Sequence, residues 1–306
     1  MKRILQALSV AAISLLIIVG CQKDDSSEPS TEDPFVPQNV LAHYTFESTT
    51  EDVAGNFDPS AEDVIGISYV ESHGDSSGTA ASFNGSTSLI EIPNGDQFLS
   101  HNDFSIAFWI KASSEKRGHF VMGLAGPHGF HFEIDSAAWS APYKYVKLTS
   151  SYNGVDSVVR EDQLWNGNGK TKDNGGWQGI KVSKEASVGP YFANKWVHVV
   201  CVYNSSTKVN TMFVNGEKVK EFDFNLWPDW DVRKKITGVV YNGNPAPGNK
   251  LALGFIQARE NRRLIQSWAN YSDQGSNHFK GQLDDLWIFS AALTDTEAIQ
   301  LYNSEK

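Results

Sequence analysis

The sequence predicts an all-β domain, a two-sheet antiparallel jelly-roll sandwich with a short C-terminal helix. Three observations lead there. Short apolar runs recur through residues 39–306, separated by Gly, Asn, Ser and Pro, with turns about every ten residues as in sandwiches and jelly rolls. Several runs, such as Leu283–Phe289, are largely apolar on both alternating faces, which suits strands inside a sandwich rather than an exposed hairpin. Helical periodicity is convincing only after Thr294, where Thr294-Asp295-Thr296-Glu297 forms a capping box at a helix start.

The chain opens with an export signal over residues 1–20. Lys2 and Arg3 precede a mostly apolar run, Ile4–Val19, that is too short to span a bilayer comfortably. Gly20-Cys21 followed by a polar tail resembles a bacterial lipoprotein signal, which implies that Cys21 is lipidated as the first residue of the mature protein. The alternative is an ordinary signal peptide that happens to contain Cys. Residues 22–28, Gln-Lys-Asp-Asp-Ser-Ser-Glu, resemble the acidic tag that sends some Gram-negative lipoproteins to the outer face of the outer membrane. Display on the cell exterior is therefore expected first, and the periplasmic face second. Residues 21–38 hold Pro29, Pro34 and Pro37 among Ser, Glu and Asp, a composition that reads as a disordered tether. No second linker and no fixed-period repeat is visible in the sequence beyond it, so residues 39–306 read as one domain.

The strands follow in order. Leu41–Phe46 is first. Ala80–Phe83 and Leu89–Ile92 flank Asn84-Gly85-Ser86, a hairpin signal. Phe104–Ile110 alternates Phe104, Ile106, Phe108 and Ile110 against Ser105, Ala107 and Trp109. Phe120–Leu124, Phe130–Ile134 and Tyr145–Thr149 come next. Trp196–Tyr203 and Thr211–Val214 are joined by a polar link, and Asn215-Gly216 turns the chain into Lys218–Phe222. Leu251–Phe255 and Leu283–Phe289 close the series.

Composition excludes some partners. The formal charge is −10, and loss of Lys2 and Arg3 with the signal takes it to −12. A nucleic acid or anionic lipid partner requires a basic surface, whereas neutral glycans, cations or basic proteins are compatible. Of two cysteines, Cys21 is the lipid acceptor and Cys201 sits in a dense strand, so neither a disulfide nor a thiolate metal site follows.

These blocks carry a family resemblance. His43–Glu47, the Gly55-Asn56 turn, Ala81–Gly85 with Leu89–Ile92, Asp103–Ile110, Trp196–Val199, Phe213–Gly216 and Gly281–Phe289 resemble, in order, a laminin-G-like domain over roughly residues 40–303. The resemblance implies a concanavalin A-like jelly roll whose first and last strands are neighbours. That superfamily holds lectins, adhesion modules and glycanases, so the fold does not choose the function.

Aromatic and acidic residues offer the candidate sites. Trp109, Trp196 and Trp287 lie in strand patterns and read as core. Trp139, Trp165, Trp177, Trp227, Trp230 and Trp268 lie in polar, Gly- or Pro-containing stretches, where an indole can stack on a sugar ring beside hydrogen-bonding neighbours. The segment from Ser150 to Gly189 reads as a long loop, and such loops are often functional. Its Trp165, Asn166, Asn174, Trp177 and Gln178 form the candidate ligand set. The alternative for the two indoles is that they anchor the loop by packing beneath it; Trp227 and Trp230 lean towards packing.

Phe132–Asp135 carries Glu133 and Asp135, resembling half of a laminarinase-type Glu-x-Asp motif. Positions 137 and 138 are Ala where a second Glu is needed to protonate the leaving oxygen, so catalysis by that route is disfavoured. The laminin-G resemblance implies a structural Ca²⁺, with Asp52 and Asp284 as ligands and Asp285, on the opposite face, as rival. Otherwise one Asp caps a turn and the other meets a basic partner. His128 and His131 point to opposite faces and His198 reads as a satisfied core residue. Arg259–Arg263 reads as a solvated hairpin tip or, more sharply, as a contact for a carboxylated sugar. The favoured function is a surface-anchored, non-catalytic carbohydrate-binding lipoprotein with a glycan or glycoprotein partner. A protein-binding adhesion module is the alternative. A glycanase or lyase comes third, since the sequence does not locate its paired acids or Tyr/His/Lys group.

Overall fold

The computed structural model describes residues 35–74, 78–135, 143–167, 187–273 and 276–306. In chain order the strands begin with β1 (Val40–Tyr44), β2 (Val64–Ile65), β3 (Ser68–Glu71), β4 (Thr79–Asn84) and β5 (Leu89–Ile92). The central group is β6 (Phe104–Ala112), β7 (His119–Leu124), β8 (Phe130–Asp135), β9 (Tyr145–Asn153) and β10 (Val158–Trp165). After a one-turn helix, α1 (Gly189–Phe192), come β11 (Trp196–Asn204), β12 (Val209–Val214), β13 (Glu217–Asp223), β14 (Gly238–Val239), β15 (Leu251–Leu253) and β16 (Lys280–Phe289). Helix α2 (Asp295–Glu305) ends the chain.

The strands form two eight-stranded sheets. One runs β13-β12-β11-β6-β16-β4-β3, with β1 also on β16; the other runs β10-β9-β8-β7-β15-β5-β2, with β14 also on β9. All pairings between these strands are antiparallel, and the first strand does lie beside the last, Tyr44 opposite Leu286. Phe104, Ile106, Phe108 and Ile110 face inward from β6, as their alternation requires, against Phe130 and Phe132 of β8. Ring pairs Phe104–Phe130 and Phe108–Phe132, at 5.3 and 5.1 Å, join the two sheets. Such ring pairs add specific geometry to area burial.

Two local signals are realised directly. Asn215 and Gly216 adopt φ of 51° and 73°, as a two-residue hairpin turn between β12 and β13 demands. Thr294 Oγ1 accepts from the Glu297 amide at 3.2 Å and Glu297 Oε2 accepts from the Thr294 amide at 2.7 Å, closing the capping box.

Three expectations are corrected. Asn84-Gly85 does not join a hairpin: β4 and β5 belong to different sheets, and Asn84 Oδ1 gathers the amides of Ser86, Thr87 and Ser88 into a crossing turn. The segment from Ser150 is not all loop. Residues to Asn153 continue β9 and Val158–Trp165 forms β10, a strand that polar outward residues had disguised. In β16 a bulge between Asp284 and Trp287, with Asp285 at φ 40°, shifts the alternation. Leu283, Leu286 and Ile288 therefore share the inner face, while Trp287 and Phe289 turn outward.

Candidate functional site

The outer faces of the two sheets differ. On the β6/β16 sheet, α2 covers the strands, packing Ala298 and Leu301 on Ala107, Phe213 and Phe289. Beside that contact the Trp109 and Trp287 indoles donate to the two oxygens of Glu305 at 2.9 and 2.6 Å. His73 stacks on Trp109 and His43 on Trp287. Trp109 is thus buried as expected, but beneath α2 rather than between the sheets. His198, expected to be satisfied, is buried without a hydrogen-bond partner among the described residues, its Nε2 lying 3.4 Å from Glu305 without hydrogen-bond geometry.

The other sheet has one end of its outer face covered by a later segment of the chain. Residues 254–273 lie across the β5, β15 and β7 end, where Phe255, Ile256, Leu264 and Ala269 pack on Leu89, Phe120 and Ala252. Gly123 permits this close approach, since a Cβ there would sit 1.9 Å from the Ile256 carbonyl oxygen. Across β8, β9 and β10 the face is uncovered by that segment, and strand register fixes what it presents. Glu133 lies opposite Lys147, Asp135 opposite Tyr145 and His131 opposite Thr149, with Thr149 in turn opposite Asp162. Period-two alternation puts all of these outward because Phe130, Phe132, Ile134, Val146 and Leu148 face in.

These side chains form one bonded network. Lys147 Nζ bridges Glu133 at 3.0 Å and Asp162 at 3.5 Å. His131 Nε2 meets Glu133 at 3.2 Å, Thr149 donates to Asp162 at 2.5 Å, and Tyr145 donates to Asp135. Burial pushes the Glu133 carboxyl up, but the hydrogen bond and charge of His131, then those of Lys147, outweigh it and hold the group down at about 2. Burial likewise pushes Lys147 down, and the Glu133 and Asp162 charges more than reverse it. The pair is therefore a fixed anion and cation at neutral pH. Glu133 offers acceptor oxygens and no proton for a leaving group, whereas glycoside hydrolysis needs a carboxylic acid as donor. Two cavities flank the network. One of about 280 Å³ holds Phe120, Glu133, Asp135, Asn277 and Trp268; one of about 440 Å³ is lined by Thr149, Arg160, Asp162 and Arg233, among others. Trp268, 47% exposed, leans on Phe120 with ring centres 6.1 Å apart and forms one wall.

Several expected site residues lie elsewhere. Trp165 is 4% exposed and sits in the core with its ring 5.1 Å from Tyr191. It shares the inner parity of β10 with Val159 and Gln163, so it presents no face to a ligand. Asn166 is also buried. Asn174, Trp177, Gln178, Trp139 and Cys21 lie outside the described residues. Trp227 packs on the core beneath Arg233, but Trp230, expected to pack, is 78% exposed.

Asp52 and Asp284 do not fit a calcium ion. Asp52 Oδ1 accepts the amides of His43 and Ala54, and Oδ2 those of Asn56 and Phe57, at 2.8–3.2 Å, so its oxygens are met by amide protons that repel a cation. Asp284 accepts from Ser72 and His73. The described residues that do converge are His73, Asp284 and Asp285, with ligand atoms within 4.8 Å of one another; the bulge in β16 brings the two aspartates together where simple alternation had separated them. Each already has a partner, Asp285 through His43 at 3.2 Å. Sequence reading missed Lys147, Thr149 and Asp162, although the repeated outward polar parity of β8, β9 and β10 carried the signal.

A two-sheet jelly-roll sandwich, with α2 packed on one sheet and a charged network on the outer side of the other, defines the class. The laminin G family model, described as the concanavalin A-like lectin/glucanases superfamily, matches residues 84–238, and the chain belongs to that superfamily. No curated protein matches the sequence significantly. Among solved structures, the binding domain of Paraclostridial Mosquitocidal Protein 1 is similar, with a TM-score of 0.53 and 17% identity over 87% of this chain and 52% of that one. The botulinum neurotoxin serotype D ligand binding domain in complex with N-acetylneuraminic acid gives 0.52 and 12% over 87% and 51%. The chain thus spans about half the length of those two. Domain 4 of an extracellular GH43 arabinanase from Geobacillus stearothermophilus, in complex with arabinotriose, gives 0.48 and 20% over 86% and 98%. The likeness to the first two, at these identities, shows the fold alone.

Proposed function

We propose that the chain is a non-catalytic glycan-binding module whose site is the trough over β8, β9 and β10. The observation that carries this reading is the fixed Glu133–Lys147–Asp162 network beside an exposed indole, Trp268. Paired charges already held in place accept and donate hydrogen bonds to sugar hydroxyls without reorganising, while an indole covers the apolar side of a ring. A fold neighbour crystallised with N-acetylneuraminic acid adds support at the level of the class. We propose too that Cys21 is lipidated and that the tether displays the module outside the outer membrane, supported by Gly20-Cys21 and the acidic stretch behind it.

The test is a polysaccharide and glycan array probed with the full chain and with Asp162→Ala, a half-exposed position. Selective binding lost in Asp162→Ala supports the reading; silence across the array sinks it. Mass spectrometry of the membrane-extracted protein tests the lipid, and protease accessibility on intact cells tests display. A second reading, adhesion to a protein, is favoured by one observation: Leu226, Trp230 and Val232 all stand exposed within one short segment. Such exposed apolar residues suit a protein partner, and binding that survives complete deglycosylation and fails in Trp230→Ser would support it.

A further inference from the structure

The segment that walls the trough has a second side. Trp268 and Ala269 are neighbours in one 3-10 turn, Ser267–Ala269. Trp268 borders the trough cavity, whereas Ala269 and Asn270 border a cleft of about 1080 Å³. The floor of this cleft is built from paired charges. Arg259 donates to buried Glu91 through Nε at 2.9 Å and Nη2 at 2.6 Å, and its Nη2 reaches Asp63 at 3.2 Å. Lys250 donates to Asp63 at 2.7 Å. Gln257, itself buried, ties the segment together by donating to the carbonyls of Leu264 and Ala269 at 2.9 and 3.0 Å. The rim adds Tyr271 and Ile265, the latter 81% exposed. The run Arg259–Arg263, expected to be a hairpin tip, thus supplies part of the cleft.

We propose that this cleft is a second glycan subsite, that it takes neutral sugar units, and that one polysaccharide chain crosses the Trp268 ridge to occupy both sides. This rests on the reading that the trough binds glycan. Adjacent residues of a single turn face the two cavities, so a ligand leaving one over Trp268 enters the other. The floor is rigid and rich in donors and acceptors, and an apolar Ile265 stands at its edge, the mixture that a sugar ring with its hydroxyls requires. Neutral sugars are indicated because the cations are spent. Arg259 and Lys250 are committed to Glu91 and Asp63, and with Glu62 and Glu260 four carboxylates face the three cations Lys250, Arg259 and Arg262. A carboxylated sugar would meet no uncommitted surplus of positive charge.

The experiment titrates the full chain with neutral gluco-, manno-, xylo- and arabino-oligosaccharides from disaccharide to octasaccharide, and with galacturonate oligomers as the charged series. The variant is Arg262→Ala/Ile265→Ala, at two exposed positions that leave the floor intact. We expect wild-type affinity for one neutral series to rise on the order of 10²-fold with length, as linked subsites dictate, and the variant to lose that gain while keeping short-oligosaccharide binding. An undiminished gain in the variant overturns the subsite alone. Preference for the galacturonate series overturns the neutral assignment. No binding by the wild-type chain overturns the glycan reading and the subsite with it.

Discussion

Glu305 and Glu133 lie on the outer faces of opposite sheets, and their surroundings drive them in opposite directions. Glu305 is enclosed between Trp109, Trp287 and the end of α2; burial and then the Asp285 charge push it up to about 8, with the indole donors offsetting only part. Glu133 is nearly as buried, yet His131 and Lys147 hold it at about 2. The difference is what each carboxylate was given as a partner. Neutral indoles and unbonded His198 leave Glu305 poorly solvated, which suits a face sealed by packing. His131, and then an ammonium shared with Asp162, keep Glu133 charged and fixed, which suits the proposed ligand face. Under the proposed reading, one sheet serves closure and the other recognition.

The largest expected effect comes from removing the cation. Lys147→Met leaves Glu133 buried without its ammonium, and chemical denaturation should show a loss of roughly 3–5 kcal/mol; a loss below ~1 kcal/mol would mean the network is not structurally coupled. The pH dependences provide a sharper contrast. Glu305 has a folded value above the ordinary 4.5, so its contribution is complete below that value and is lost as pH rises through about 8. Glu133 has a folded value below 4.5, so its contribution is present above that and is lost as pH falls through about 2. Urea midpoints across pH should therefore lose their alkaline slope in Glu305→Gln and their acid slope in Glu133→Gln. Identical pH profiles for the two variants would erase the distinction between the faces. The smallest effect concerns calcium. With Asp52 committed to four amides, EDTA should leave the melting temperature unchanged, and a drop of several degrees would locate an ion elsewhere in the chain.

The sandwich was legible because its signals are local. Alternation in Phe104–Ile110, the Asn215-Gly216 turn and the Thr294–Glu297 capping box each depend on residues a few positions apart. The site was not, because its members meet only through register. His131, Lys147 and Asp162 come from three strands, and only the pairings Glu133–Lys147 and Thr149–Asp162 bring them together. Trp165 misled for the same reason: polar neighbours suggested a loop, whereas strand parity turned the indole inward. Asp284 and Asp285 were assigned to opposite faces by simple alternation, which one bulge overrode. Trp109 and Trp287 were rightly placed in strands, but which side of the sheet they face depends on α2, some distance along the chain.

The most direct measurement is calorimetric titration of the wild-type chain and Trp268→Ala with the glycan selected by the array, alongside their melting curves. Trp268 is half-exposed and leans on Phe120, so its removal should change stability by less than about 1 kcal/mol. Affinity should fall at least roughly tenfold, as expected for an aromatic anchor in a binding surface. Unchanged affinity in a folded Trp268→Ala would contradict the account, because the ligand would then lie away from the β8–β10 face that Trp268 borders.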